Sequence, residues 1–141
     1  MAERLGEILI RKKIMTAEQL AVALKEQAES SQFLGEILIR LGFVSEIDLL
    51  QVLAEQFNTR FVSLDNVMIN RDVVRLVPRD LVVEHKIMPV EMRNSVLLIA
   101  VSNPLDMWPL SVLQKKMNLT EVRIVLATKK DIEQTVKKHY P

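Results

Sequence analysis

Cysteine is absent from these 141 residues, which excludes a disulfide framework, a thiolate metal site and a cysteine nucleophile. Glycine occurs three times, at Gly6, Gly35 and Gly42, too few to build either a Gly-x-x-x-x-Gly-Lys phosphate loop or a Gly-x-Gly-x-x-Gly fingerprint. With five prolines as the only other breakers, there is little room for a long flexible linker. Aromatics are scarce (four Phe, one Tyr, one Trp), so the core must be aliphatic. No apolar run approaches the roughly 18 residues of a membrane helix. The opening Met1-Ala2-Glu3-Arg4 lacks the basic-then-apolar layout of a signal peptide, so a cytoplasmic location is expected. The two histidines, His85 and His139, stand without a second ligand at helical metal spacing, and no hydroxyl has an identifiable base partner. The expectation is a protein without catalytic residues or a metal site.

Charge is nearly balanced overall but uneven along the chain. Residues 1–57 carry six Lys/Arg against nine Asp/Glu, a net of −3, and residues 58–141 carry thirteen against nine, a net of +4. Neither part has the dense basic face that displaces counterions from a phosphate backbone, so neither DNA nor RNA is an expected partner. The lysine pairs at 115–116, 129–130 and 137–138 read as solvated helix surface.

What is present is a repeat. Shifted by 29 residues, Leu5-Gly6-Glu7-Ile8-Leu9-Ile10-Arg11 falls on Leu34-Gly35-Glu36-Ile37-Leu38-Ile39-Arg40, seven identities in a row. The register continues without a gap: Leu20 meets Leu49, Leu24 meets Leu53, and Glu26-Gln27 meets Glu55-Gln56. Each copy spans 24 residues, 4–27 and 33–56, and five residues join them. Each reads as a short helix, a turn and a longer helix. Thr16 with Gln19 predicts a reciprocal cap on the second helix, and Ser45 caps the fourth, with Asp48 in its first turn. Gly42 can end the third helix in a left-handed conformation. The apolar stripes Leu20, Ala23, Leu24 and Leu49, Val52, Leu53 are too narrow to be buried by one helix, which predicts that the copies pack on each other as an antiparallel array.

Residues 58–141 alternate element types. Phe61–Leu64 reads as a short strand, and 71–77 and 79–86 as two short helices broken by Pro78. Residues 87–92 and 96–102 predict a hairpin whose second strand, apolar throughout, is central. A helix over 107–117, a strand over 122–127 and a terminal helix opened by Thr128 follow. The fold class is therefore α+β: a tandem-repeat helical lobe of four short helices, residues 1–57, packed with an α/β lobe, residues 58–141, built on a small mixed sheet.

Gly6 and Gly35 stand inside apolar helical patterns, where glycine costs about 1 kcal/mol relative to alanine, so close approach of another backbone or a ligand is expected there. Core packing also does not require a glutamine to end both copies, at Gln27 and Gln56. These residues resemble a known family. Arg4-Leu5-Gly6 with Ile8-Leu9, Leu20, Leu24 and Gln27, repeated over 33–56 with the same five-residue spacer, is similar to the tandem 24-residue motif in the N-terminal domain of type II secretion and type IV pilus assembly ATPases. Ser102-Asn103-Pro104-Leu105-Asp106, the helix after it, a Val-rich strand and a last helix ending in Tyr140 are similar as well, a weaker signal than the twin motifs.

The resemblance implies binding of cyclic di-GMP, whose two guanines and two phosphates are related by a two-fold axis, with no further cofactor. It implies a ligand set of Arg4, Leu5, Gly6, Leu9, Leu24 and Gln27 in the first copy, and Phe33, Leu34, Gly35, Leu38, Leu53 and Gln56 in the second. Arg4 would stack its guanidinium on a guanine and bring positive charge near the anionic ring. The glycines would let backbone approach closely, the leucines would form an apolar platform, and the glutamines would offer amide hydrogen bonds. Two positions depart from the pattern: Phe33 stands where the second copy would carry Arg, and Lys13 where the first-copy turn would carry Gly. The implied role is a sensor that passes ligand occupancy to a motor ATPase in the same chain or associated with it. The alternative is an interaction domain that docks the ATPase on an inner-membrane platform protein, without nucleotide.

Overall fold

The structure, a computed structural model, describes residues 4–141; Met1, Ala2 and Glu3, on which the signal-peptide reading partly rests, lie outside them. The chain forms two compact units, Met1–Gln56 and Phe57–Pro141.

The first unit is four helices: α1 (Leu5–Arg11), α2 (Ala17–Ala28), α3 (Leu34–Arg40) and α4 (Glu46–Gln56). The 29-residue shift carries α1 onto α3 and the start of α2 onto the start of α4. The two turns share the same closing pair of hydrogen bonds. Lys13 N–H donates to the Ile10 carbonyl (2.9 Å) and Ile14 N–H to Leu9 (3.0 Å), while Gly42 N–H donates to Ile39 (3.0 Å) and Phe43 N–H to Leu38 (3.0 Å). These are two helix stops of the same kind, each closed by one residue in the left-handed region, Lys13 at φ +62° and Gly42 at φ +76°. Thr16 forms the full reciprocal cap with Gln19, and Ser45 Oγ accepts from Asp48 N–H at 3.1 Å. Leu9, Ile37 and Leu38 are fully buried, as is Ala23 of α2.

In the second unit α5 (Arg71–Leu76) and α6 (Arg79–His85) flank Pro78, and β1 (Met88–Arg93), β2 (Val96–Val101), α7 (Trp108–Lys116), β3 (Glu121–Leu126) and α8 (Lys129–His139) follow. The sheet is mixed, in the order β1-β2-β3, with β1–β2 antiparallel and β2–β3 parallel. Asn94 and Ser95, both at positive φ (51° and 64°), make the tight β1–β2 turn whose twist suits a hairpin. β2 is central, with Leu97, Ile99 and Ala100 wholly buried. Leu113 of α7 and Ile132 of α8 are buried; α7 packs on β3, and α8 on β1 and β2.

One expected element does not form. Phe61–Leu64 is not a strand: only Phe61 pairs with β3, in an isolated parallel bridge to Leu126, held by Val62 N–H to the Leu126 carbonyl and Leu126 N–H to Arg60, both 2.8 Å. The Asp131 carboxylate then captures Leu64 N–H at 2.8 Å, and the chain turns into a 3₁₀ helix over Leu64–Asn66. A side-chain acceptor on α8 thus takes the donor that a continuing strand would have used.

Candidate functional site

The repeat is organised as a closed pair. α1 packs on α4 and α2 packs on α3, so the first helix of each copy lies against the second helix of the other. A two-fold operation exchanging the copies sends one contact onto the other, whereas an open stack of repeats would not close in this way. The ion pairs repeat the theme. Arg40 of α3 holds Glu26 of α2 at 2.9 Å, and Lys12, at the end of α1, holds Glu55 of α4 at 3.2 Å. Glu26 and Glu55 are repeat equivalents, and Lys12 follows Arg11, the equivalent of Arg40. Sequence reasoning missed these pairs, although the identical Glu and Arg positions in the two copies were a signal for them.

Arg4 and Phe33 occupy the same structural place, the residue before α1 and before α3, with matching extended backbones (φ −74°, ψ 151° and φ −70°, ψ 146°). Both are exposed, as are Leu24 and Gln56, while Gln27 and Leu34 are half-buried. Gln27 Nε2 donates to the Gln32 carbonyl at 3.4 Å, and Arg40 Nη2 to Gln32 Oε1 at 3.3 Å, tying the inter-copy link to α2 and α3. Leu5, Leu9, Leu38 and Leu53 are buried and belong to the core. The copies differ in burial at several equivalent pairs, most sharply at the stripe leucines: Leu53 is 2% exposed, but Leu24, expected to be buried, is 47% exposed.

The two helical glycines answer to side chains rather than to an open surface. A Cβ on Gly6 would stand 2.7 Å from Leu20 Cδ1, and one on Gly35 2.8 Å from Leu49 Cδ2. The close approach expected at these positions is therefore not by another backbone or a ligand but by a leucine side chain of the following helix, Leu20 or its repeat equivalent Leu49, seated against bare backbone. Among the described residues there is no cluster of metal-ligating side chains, and no helix is long and apolar enough to cross a membrane.

The MshEN domain profile matches residues 57–141, more than half of the chain. The chain belongs to the MshEN domain family. The match falls on the stretch that carries the weaker sequence signal, but whole-chain likenesses extend it over the repeat. This MshEN chain is 26% identical over 140 residues, 99% of its length, to the type IV pilus assembly ATPase PilB of Myxococcus xanthus. It is 28% identical over 128 residues, 91% of its length, to bacteriophage adsorption protein B of Escherichia coli. It spans about a quarter (25%) of the first protein and 17% of the second. The solved structure of MshE with cyclic di-GMP matches it with a TM-score of 0.87 at 29% identity, over 98% of this chain and 99% of that one.

Proposed function

We propose that this MshEN chain is a non-catalytic regulatory domain that binds cyclic di-GMP through residues 4–27 and 33–56 and passes occupancy to a pilus or secretion ATPase, in the same chain or associated with it, in the cytoplasm. The observation that carries the reading is the closed pairing of two alike-folded copies, in a chain that matches MshE with its ligand over nearly its full length. A dianionic ring with two equivalent guanines meets one copy with each half. Arg4 stacks on one base and supplies positive charge, and Phe33, at the equivalent place, stacks on the other without charge. Exposed Leu24 adds apolar surface, and Gln27 and Gln56 offer amide groups at the ends of α2 and α4. Leu9, Leu38 and Leu53 act beneath the surface, by holding the helices that present these groups.

Burial of those leucines, and the seating of Leu20 and Leu49 on the glycines, also favours a second reading. In that reading the duplication serves packing, and the domain docks the ATPase on an inner-membrane platform protein. Calorimetric titration of the purified chain with cyclic di-GMP separates the two. Sensing predicts saturable binding of one ligand per chain in the micromolar range or tighter, weakened at least about tenfold in Arg4→Ala by loss of stacking and charge. No heat at high ligand concentration, from a chain with an intact unfolding transition, leaves docking.

A further inference from the structure

α7 has two faces. Pro109 and Leu113 are buried where the helix packs on the sheet. Trp108, Ser111, Val112 and Lys115, spaced i, i+3, i+4 and i+7, line an open groove of about 620 Å³ with Gln114 and Asn118. Trp108 is 68% exposed, and Met107 beside it 56%. The loop that presents them is firmly held: Asn103 Oδ1 accepts from Leu105 N–H at 3.0 Å, and Asp106 Oδ1 from Trp108 N–H at 3.2 Å. A water-exposed tryptophan lining a groove, on a backbone held in place, is the kind of anchor found at the centre of protein interfaces. Residues 107–120 contain two lysines and no acid, so whatever fills the groove is expected to be acidic.

The chain contains a matching surface. α4, residues 46–56, has three acids and no base, and its Ile47 is 51% exposed. Ile47, Gln51 and Glu55, at i, i+4 and i+8, form one stripe, apolar at its start and acidic at its end. The α7 stripe is apolar at its start, at Trp108, and basic at its end, at Lys115. At 1.5 Å per residue, Ile47 to Glu55 spans about 12 Å and Trp108 to Lys115 about 10.5 Å. Laid side by side in parallel, the two helices pair apolar with apolar and carboxylate with ammonium. Glu55, with its side chain 71% exposed, can meet a second cation while keeping Lys12.

We infer that α7 of one molecule docks on α4 of a second copy of this chain. The charges of the two stretches, −3 over residues 1–57 and +4 over 58–141, favour the same pairing. The concave groove and the complementary stripe within the same sequence favour a second copy over a lipid surface.

Sedimentation of the 141-residue chain over a concentration series, with emission of its single tryptophan followed in parallel, tests this. The expected result is reversible association that weakens with salt, with a blue shift of Trp108 emission as association proceeds. Trp108→Ala weakens association at least about tenfold, as loss of a central anchor does. Lys115→Glu weakens it about three- to tenfold, and combining it with Glu55→Lys restores it. These side chains are exposed, and thermal unfolding of each variant confirms an intact fold. A chain that stays monomeric with water-exposed emission at the highest concentration overturns the inference. So does a blue shift that occurs only with anionic phosphatidylglycerol vesicles, or a charge exchange that restores nothing.

Discussion

Lys13 holds φ +62° at the place where its repeat partner, Gly42, holds +76°. A Cβ in the left-handed region crowds the following carbonyl, and only glycine avoids that crowding. The Lys13 turn is nonetheless closed by the same two hydrogen bonds as the Gly42 turn, so the surrounding helices impose the conformation. Lys13→Gly is therefore expected to stabilise the chain by about 0.5–1 kcal/mol in urea unfolding. The reverse change, Gly42→Ala, is expected to destabilise it by a similar amount. If Lys13 also contributes charge to a bound dianion, Lys13→Gly weakens cyclic di-GMP while strengthening the fold, a split that a purely structural lysine would not show. Arg4 and Phe33 differ in the same manner: one structural place, two chemistries.

At the scale of elements, the caps and the repeat register were legible because each depends on residues close together in sequence. Thr16 with Gln19, the Ser45 and Thr128 caps and the Gly42 stop all act within a few residues, and all are found as expected. The end of the Phe61 segment was not legible, because its deciding partner, Asp131, lies 67 residues away from Leu64. A similar separation, of 63 and 61 residues, hides the fastening of α8. Tyr140 donates its buried hydroxyl to the Val77 carbonyl at 3.1 Å, and Arg79 Nε donates to the Tyr140 carbonyl at 3.4 Å, locking the helix end to the α5–α6 junction. Burial pushes the Tyr140 hydroxyl up to about 12, above its usual value near 10. The unfolded chain then loses this proton first as pH rises. The stability this group contributes is complete below about pH 10 and is lost between about pH 10 and pH 12. Urea unfolding on both sides of pH 10 should show that fall, with Tyr140→Phe less stable at neutral pH by about 1 kcal/mol but with a flatter pH dependence. An equally steep fall in the variant would assign the loss to other groups.

For the whole molecule, fold class and repeat could be read from the chain because periodicity and a 29-residue shift are properties of sequence alone. The pairing of α1 with α4 and α2 with α3 could not, since two alike repeats allow either a closed pair or an open stack. Nor could the burial of Leu53 against the exposure of Leu24, which gives two equivalent leucines unequal surroundings. That inequality matters for function: a symmetric ligand would bind a module that is two-fold in its backbone and only approximately so in its side chains. Titration of the isotope-labelled chain with cyclic di-GMP, followed by amide NMR, tests this account most directly. It predicts that resonances from residues 4–27 and 33–56 shift along one common binding curve, complete at one ligand per chain, with Arg4 and Phe33 among the largest movers. Shifts confined to one copy, centred in residues 57–141, or absent would contradict it.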